Sequence, residues 1–213
     1  MMNLLQISLT TRCNYRCRYC PVEQWRNVPP RKPLCNGELI PFLERAVDPS
    51  EWVVELTGGE PSLYEGIDEL LEWLAGHNYR TLVKTNGTGN LPHLPGVTIV
   101  AAFHKLEEPP KNYDQYLIIN TDWRAEKEAY CKEHKIPYKV IGYNKDNFDH
   151  ATHGFRLCAF INPAGHQIPC QSKKAEEHIV DGEDTARIDH RKTLIAMRCC
   201  PECKAAVDAW RFI

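Results

Sequence analysis

Three cysteines near the N-terminus constrain this chain more than any other feature of its sequence. Cys13, Cys17 and Cys20 are separated by three and then two residues, and they follow the apolar run from Leu4 to Leu9. A loop of this length can direct three sulfurs at one small object. Three thiolates can hold three irons of a four-iron cluster and leave the fourth iron open, and chemistry at a metal requires an open coordination site. We therefore predict a short strand that leads into a loop binding a 4Fe-4S cluster.

Two other interpretations of the three thiols are weaker. A zinc knuckle would need a fourth ligand, and none follows within the loop. Disulfides would leave one of the three thiols over. The chain holds ten cysteines in 213 residues, and in a reducing compartment such a content indicates metal binding rather than disulfides.

A second motif follows the predicted strand at 52–56 and has the sequence Thr57-Gly58-Gly59-Glu60-Pro61. The Cx3CxxC spacing and this GGE segment, in this order, resemble the radical S-adenosylmethionine (SAM) superfamily. The resemblance implies that Tyr19 packs near the adenine of SAM and that Glu60 pairs with its ammonium group. We expect Gly58 and Gly59 to let the backbone approach that ligand closely.

The resemblance also implies the chemistry. The amino and carboxylate groups of SAM would fill the open iron site, and an electron from the cluster would cleave the sulfonium to a 5′-deoxyadenosyl radical. The protein would exclude water and hold one substrate hydrogen in line with that radical. An electron donor such as flavodoxin or ferredoxin is expected as a partner.

Apolar runs alternate with helical patterns along the first 145 residues, which predicts an α/β fold with a parallel sheet. Asn36 and either Thr121 or Asp122 are predicted as helix N-caps. The crossovers at 87–96 and 105–115 hold few helix formers. The order resembles the partial (β/α)6 barrel of radical SAM enzymes with lean helices, covering 1–145, followed by a second module at 146–213. The predicted strands are 4–9, 52–56, 81–85, 97–103, 116–119 and 138–141, and the predicted helices are 38–47, 67–75 and 122–134.

Polar residues at the predicted carboxyl ends of the strands are further site candidates, because barrel enzymes place function there. Asn86 and Asn120 are candidates for polar contacts to SAM, and each is otherwise a turn or strand-end residue. Lys84 and His104 are candidate catalytic residues in the substrate site, and each is otherwise a solvated side chain. Many relatives bind the SAM ribose through a hydroxyl on the fourth strand, which here reads Ala-Ala-Phe at 101–103.

The C-terminal cysteines form a second group around a predicted β-hairpin that turns at Pro163-Ala164-Gly165. They resemble the auxiliary-cluster module called the twitch domain, a shortened SPASM domain. That resemblance implies an auxiliary 4Fe-4S cluster that transfers electrons, and structural zinc is the alternative. Cys199 could replace Cys200 as a ligand. The implied ligands are Cys158, Cys170, Cys200 and Cys203.

The net charge of −2 predicts no general attraction to nucleic acid or to an anionic membrane. No secretory signal pattern and no membrane-spanning apolar run is seen in the sequence, so a cytoplasmic location is expected. The predicted function is oxidation or cross-linking of a peptide or protein substrate, with the auxiliary cluster as electron acceptor. The alternative is a small radical SAM enzyme of nucleobase, sugar or cofactor biosynthesis, whose C-terminal cysteines bind a structural metal. A cysteine-rich zinc module would have no use for the GGE segment.

Overall fold

The computed structural model describes residues 2–17, 20, 26–111, 113–120, 123–142, 157–168, 188, 194 and 197–198. In these residues three α-helices alternate with parallel strands, as the apolar patterns predict. The helices are α1 (Asn36–Ala46), α2 (Ile67–Gly76) and α3 (Arg124–Glu133). The strands are β1 (Asn3–Ser8), β2 (Trp52–Thr57), β3 (Arg80–Thr85), β4 (Val97–Ala102), β5 (Gln115–Asn120), β6 (Tyr138–Gly142), β7 (Leu157–Ile161), β8 (Gln167–Ile168) and β9 (Met197–Arg198).

The described strands form one sheet in the order β6-β5-β4-β3-β2-β1-β7-β8, with β9 paired to β7. The strands β1 to β6 pair in parallel with their neighbours, and β7 pairs in parallel with β1. Within the described residues no helix covers the crossovers from β3 to β4 and from β4 to β5. The α/β partial barrel with lean helices is therefore confirmed.

The main core lies between the sheet and the helices α1 and α2. Four residues of α2 recur at helical spacing and are all buried: Ile67, Leu70, Leu71 and Leu74. They belong to one cluster with alternate residues of the strands, such as Ile7 and those at 54, 56 and 83. Because side chains of a strand alternate between its faces, the intervening residues point to the opposite, inner side of the sheet.

Two predicted helix caps are wrong. The N-cap of α1 is Cys35, and its side chain makes no capping hydrogen bond. Asn36 instead ties α1 to the start of α2, because its Nδ2 donates to the Gly66 carbonyl at 2.8 Å and to Glu69 Oε2 at 2.9 Å. The N-cap of α3 is Trp123, which has a φ of 69° and no side-chain capping bond, rather than a residue at 121 or 122, which lie outside the described residues.

The predicted hairpin near the C-terminal section is confirmed. β7 and β8 pair antiparallel, and the turn is closed by Asn162, whose Oδ1 accepts hydrogen bonds from the backbone N–H groups of Ala164 and His166. β7 also extends the barrel sheet beside β1. Among the described helices, none is long and apolar enough to cross a membrane. The division of the chain near residue 145 stays a prediction.

Candidate active site

The loop that carries the three cysteines begins as a continuation of β1 along the end of β2. The Leu9 N–H donates to the Thr57 carbonyl at 2.9 Å. The Gly59 N–H donates to the Thr10 carbonyl at 2.7 Å, and the Glu60 N–H donates to the Arg12 carbonyl at 2.8 Å. The GGE segment therefore anchors the start of the cysteine loop through backbone hydrogen bonds.

The two glycines of this segment are required by the chain itself. A Cβ on Gly59 would lie 2.2 Å from the Arg12 carbonyl oxygen, and one on Gly58 would lie 2.6 Å from the Thr10 carbonyl oxygen. Gly58 also has a φ of 129°, which side chains disfavour. The backbone that the structure places against these glycines is that of residues 10–12. Close approach of these glycines to SAM stays a prediction.

The three N-terminal thiols lie close enough to affect one another. Burial, followed by the charges of the nearby thiols Cys20 and Cys13, raises the pKa of Cys17 to about 11. The Tyr15 N–H donates to Cys13 Sγ at 3.5 Å, and the Cys20 N–H donates to the Cys17 carbonyl at 3.1 Å. For all three side chains to be thiolates together in this half-buried loop, positive charge must lie nearby, and iron would supply it.

This arrangement fits an iron–sulfur cluster bound by the loop. In the part of the chain that the structure describes, no three His, Cys, Asp or Glu side chains are grouped to hold a single metal ion. A four-iron cluster differs from a single ion because each thiolate binds a different iron. Cys13, Cys17 and Cys20 would be its ligands.

His104 lies beside the cysteine loop at the end of β4. Its Nδ1 is 3.6 Å from Cys17 Sγ, and its ring meets that of Tyr15 edge to face at 5.1 Å. Burial, followed by the charges of Lys127 and Lys105, lowers the pKa of His104 to about 4, so the ring is neutral at neutral pH. A cavity of about 490 Å³ is lined by these loop residues and His104. His104 thus lies next to Cys17, a candidate ligand of the cluster, and hydrogen bonds to such sulfurs influence the reduction potential of a cluster.

Glu60 and Asn86 join the ends of β2 and β3 to the loop. The buried Glu60 carboxylate accepts hydrogen bonds from the Thr85 hydroxyl at 2.6 Å, the Asn86 N–H at 2.6 Å and the Ser62 N–H at 3.0 Å. The Asn86 Nδ2 donates to Asn14 Oδ1 at 2.8 Å and lies 3.9 Å from Cys13 Sγ. These two predicted SAM contacts therefore hold the cysteine loop in place.

Lys84 points to the inner side of the sheet, where it forms an ion pair that the sequence analysis missed. Its Nζ is 3.0 Å from Glu55 Oε2, and the other carboxylate oxygen accepts from Gln6 Nε2 at 2.5 Å. Glu55 and Gln6 are 1% and 5% exposed. A signal was present in the sequence, because a carboxylate or amide in the middle of a buried strand requires a polar partner.

The remaining candidate residues are only partly covered by the structure. Asn120 ends β5 opposite Gly142, and Cys158 lies in β7 opposite Leu4; both are described by their backbone alone. Tyr19 lies outside the described residues. The other proposed auxiliary ligands lie outside them as well: Cys170, Cys200, Cys203 and the alternative Cys199.

Sequence comparison gives a family and partial relatives. The family model of the Radical SAM superfamily matches residues 7–149. The GTP 3′,8-cyclase of Sulfurovum sp. (strain NBC37-1) is 35% identical over 95 residues, which are 44% of this chain and 28% of that protein. The GTP 3′,8-cyclase of Sulfurimonas denitrificans is 37% identical over 75 residues, 35% of this chain and 23% of that protein. The match thus spans about a quarter of these relatives' length.

Solved structures share the fold at low sequence identity. SuiB of Streptococcus suis, bound to the precursor peptide SuiA, superposes with a TM-score of 0.64 at 16% identity, covering 89% of this chain and 62% of that one. BtrN in complex with AdoMet and 2-DOIA gives a TM-score of 0.51 at 12% identity, covering 84% and 77%. The family match covers the end of β1, the cysteine loop, the GGE segment and the strands β2 to β6. The chain therefore belongs to the radical SAM superfamily, and this membership implies a 4Fe-4S cluster and SAM as its cofactors.

Proposed function

We propose that this radical SAM enzyme acts on a small molecule of nucleobase, sugar or cofactor biosynthesis. The observation that carries the catalytic part is the juxtaposition of three thiols, the GGE segment and Asn86 at the carboxyl ends of β1 to β3. The sequence relatives named GTP 3′,8-cyclase favour a small-molecule substrate. The buried polar side chains on the inner side of the sheet suit such a substrate as well.

Each residue of the site has a proposed task. Cys13, Cys17 and Cys20 hold the cluster, which when bound supplies the electron that cleaves SAM to a 5′-deoxyadenosyl radical. The ends of β2 and β3 fix the cysteine loop through Gly59 and Asn86. Tyr19, Gly58, Glu60 and Asn120 are proposed to contact SAM together with these two residues.

For Glu60 the structure suggests a positioning task as well. Its carboxylate is 0% exposed and already accepts three hydrogen bonds from the chain. An ionised carboxylate has about four acceptor sites, so about one is left for the ammonium of SAM. Independently of SAM, the Glu60 carboxylate joins the end of β2 to the end of β3.

His104 and Lys84 take different tasks in this proposal. His104 lies 3.6 Å from Cys17 Sγ, so we assign it to the cluster side of the site, where a neutral ring N–H can donate to a thiolate. Lys84 lies on the inner side of the sheet, 3.0 Å from Glu55. It is therefore assigned to the substrate side.

A peptide or protein substrate is the second candidate. It is favoured by the fold of SuiB, which covers 89% of this chain and was solved with a precursor peptide. In that case an auxiliary 4Fe-4S cluster held by Cys158, Cys170, Cys200 and Cys203 would accept one electron from the substrate radical that hydrogen abstraction leaves. About eight irons per chain would support that cluster, whereas about four irons with zinc would make the second site structural.

Deuterium transfer distinguishes the two substrate classes. The anaerobically reconstituted protein is incubated with dithionite, SAM and an extract of cells grown in D2O, separated into a small-molecule fraction and a peptide and protein fraction. Abstraction of a substrate deuterium places it in 5′-deoxyadenosine, which mass spectrometry detects. We expect the label to come from the small-molecule fraction. Label from the peptide and protein fraction alone would replace the first candidate by the second.

A further inference from the structure

The cysteine loop is closed at its base by Asn27, a residue that the sequence motifs do not include. Its backbone N–H donates to the Thr11 carbonyl at 2.8 Å. Its side-chain Oδ1 accepts a hydrogen bond from the Cys13 N–H at 2.8 Å, and its Nδ2 donates to the Cys13 carbonyl at 3.2 Å. These hydrogen bonds join the two ends of the segment 13–27, which carries all three thiols.

The segment that leads into Cys13 is bound from two sides. The carbonyls of Thr10 and Arg12 accept hydrogen bonds from the GGE segment, whereas the Thr11 carbonyl between them accepts from Asn27. This alternation is that of a strand between two neighbours. Cys13 follows the last of the GGE contacts, and the side-chain amide of Asn27 binds both of its peptide groups.

The backbone conformation of Asn27 separates a turn residue from a residue with a contact to make. Its φ is 63°, in the left-handed region that glycine adopts most easily and that asparagine adopts more often than most other residues. Glycine would therefore suit the turn alone. Asparagine adds one donor and one acceptor, and both are used on Cys13.

Binding of both peptide groups of Cys13 also restricts the direction of its thiol. The N–H and the carbonyl of a residue define its φ and ψ, and these angles set the direction of the Cα–Cβ bond. The sulfur is itself held, because the Tyr15 N–H donates to it at 3.5 Å and Asn86 Nδ2 lies 3.9 Å from it. Backbone and sulfur of Cys13 are thus both fixed by neighbouring groups of the chain.

We propose that Asn27 is a positioning residue for the iron–sulfur cluster, which closes the cysteine loop and fixes the Cys13 thiol in the direction of its iron. This inference rests on the proposed function, because it requires Cys13 to be a cluster ligand. A loop that is already ordered loses less conformational entropy when it binds the cluster. Groups that orient metal ligands in this way also influence the properties of the metal centre.

Release of iron to a chelator tests the inference without turnover. The anaerobically reconstituted wild type and Asn27→Gly, both shown by circular dichroism to be folded, are mixed with bathophenanthroline disulfonate, and the coloured iron complex is followed with time. Glycine keeps the left-handed backbone and removes only the amide. We expect the iron of the loop cluster to be released about fivefold faster or more from Asn27→Gly, because two hydrogen bonds to Cys13 are lost at a site that water reaches.

Asn78→Gly is the matched control. Asn78 is exposed after the end of α2 and has a φ of 61°, so the same substitution is made in the same backbone conformation away from the site. It should release iron like the wild type. Asn27→Asp keeps the acceptor for the Cys13 N–H and loses the donor to the Cys13 carbonyl, so its release rate should lie between those of Asn27→Gly and the wild type. It replaces Asn27→Gly in the comparison if that variant does not fold.

Electron paramagnetic resonance of the dithionite-reduced proteins gives a readout that a purely structural role would not change. The signal that changes on addition of SAM belongs to the loop cluster, because SAM would fill its open iron site. Asn27→Gly should alter the g values of this signal, since the Cys13 thiolate meets its iron at a different angle, and Asn78→Gly should not. A release rate or a spectrum of Asn27→Gly equal to that of the wild type overturns the inference. Failure of the proposed function shows separately, as absence of SAM cleavage by the wild type.

Discussion

Gly59→Ala is predicted to disrupt the anchor of the cysteine loop. The added Cβ would lie 2.2 Å from the Arg12 carbonyl oxygen, 2.7 Å from the Arg12 carbonyl carbon and 2.9 Å from that of Thr11. These are backbone atoms, so no side-chain rotation relieves the contact. The loop must move away from the end of β2, which breaks the hydrogen bonds from the N–H groups of Gly59 and Glu60 to the loop carbonyls.

The expected cost follows from those contacts. Overpacking costs about 1–3 kcal/mol, and each lost backbone hydrogen bond costs about 0.5–1.5 kcal/mol, so the total is about 2–6 kcal/mol. For a chain of this size, that lowers the Tm by about 4 °C or more. The iron content after reconstitution should fall as well, because the loop that carries Cys13 and Cys17 is displaced.

Thermal unfolding followed by circular dichroism and iron analysis of the same anaerobic samples provide the assay. Gly37→Ala is the matched control, because its Cβ would have nothing within 4 Å and alanine favours the helix by up to about 1 kcal/mol. A Gly59→Ala protein with the Tm and iron content of the wild type would refute the close packing of the GGE segment on the loop.

Two further predictions concern the buried Glu60 and the half-buried Lys139. Glu60→Gln should lower the free energy of unfolding by about 1–3 kcal/mol, because an amide NH2 would face donors that now bind the carboxylate. A thermal midpoint equal to that of the wild type would contradict these hydrogen bonds. The free energy of unfolding should rise with pH between about 8 and 10.5, because burial, followed by the charge of Lys84, lowers the pKa of folded Lys139 to about 8, whereas the unfolded chain keeps that proton up to about 10.5. Urea unfolding of the wild type and of Lys139→Met should show this slope in the wild type only, and identical slopes would refute the lowered pKa of the half-buried Lys139.

The strands and helices of the barrel could be predicted because their apolar patterns are strong. The α2 pattern from Ile67 to Leu74 and the apolar strands β1 to β4 lie within one or two residues of their predicted bounds. The N-cap residues of the helices were less predictable, because tertiary contacts compete with the helix terminus for the side chain of a candidate cap. Asn36 bonds across to Gly66 and Glu69 instead of capping its own helix.

The composition of the site could be predicted better than its internal contacts. The motifs identified the cysteines and the GGE segment, but spacing alone does not reveal that Gly59 packs on the carbonyl of Arg12. The partner of Lys84 was also missed, since Glu55 lies 29 positions earlier and the register of β2 and β3 brings them together. Contacts of this kind depend on strand pairing, which a single sequence does not specify.

The central claim is that Cys13, Cys17 and Cys20 hold the cluster that cleaves SAM. The most direct measurement compares the wild type with a variant in which all three are alanine, for iron content and for 5′-deoxyadenosine formed from SAM with dithionite. Cys35→Ala, at an exposed thiol outside the loop, is the control and should behave like the wild type. The triple variant should lose about four irons per chain and form no 5′-deoxyadenosine. Formation of 5′-deoxyadenosine by the folded triple variant would contradict the claim.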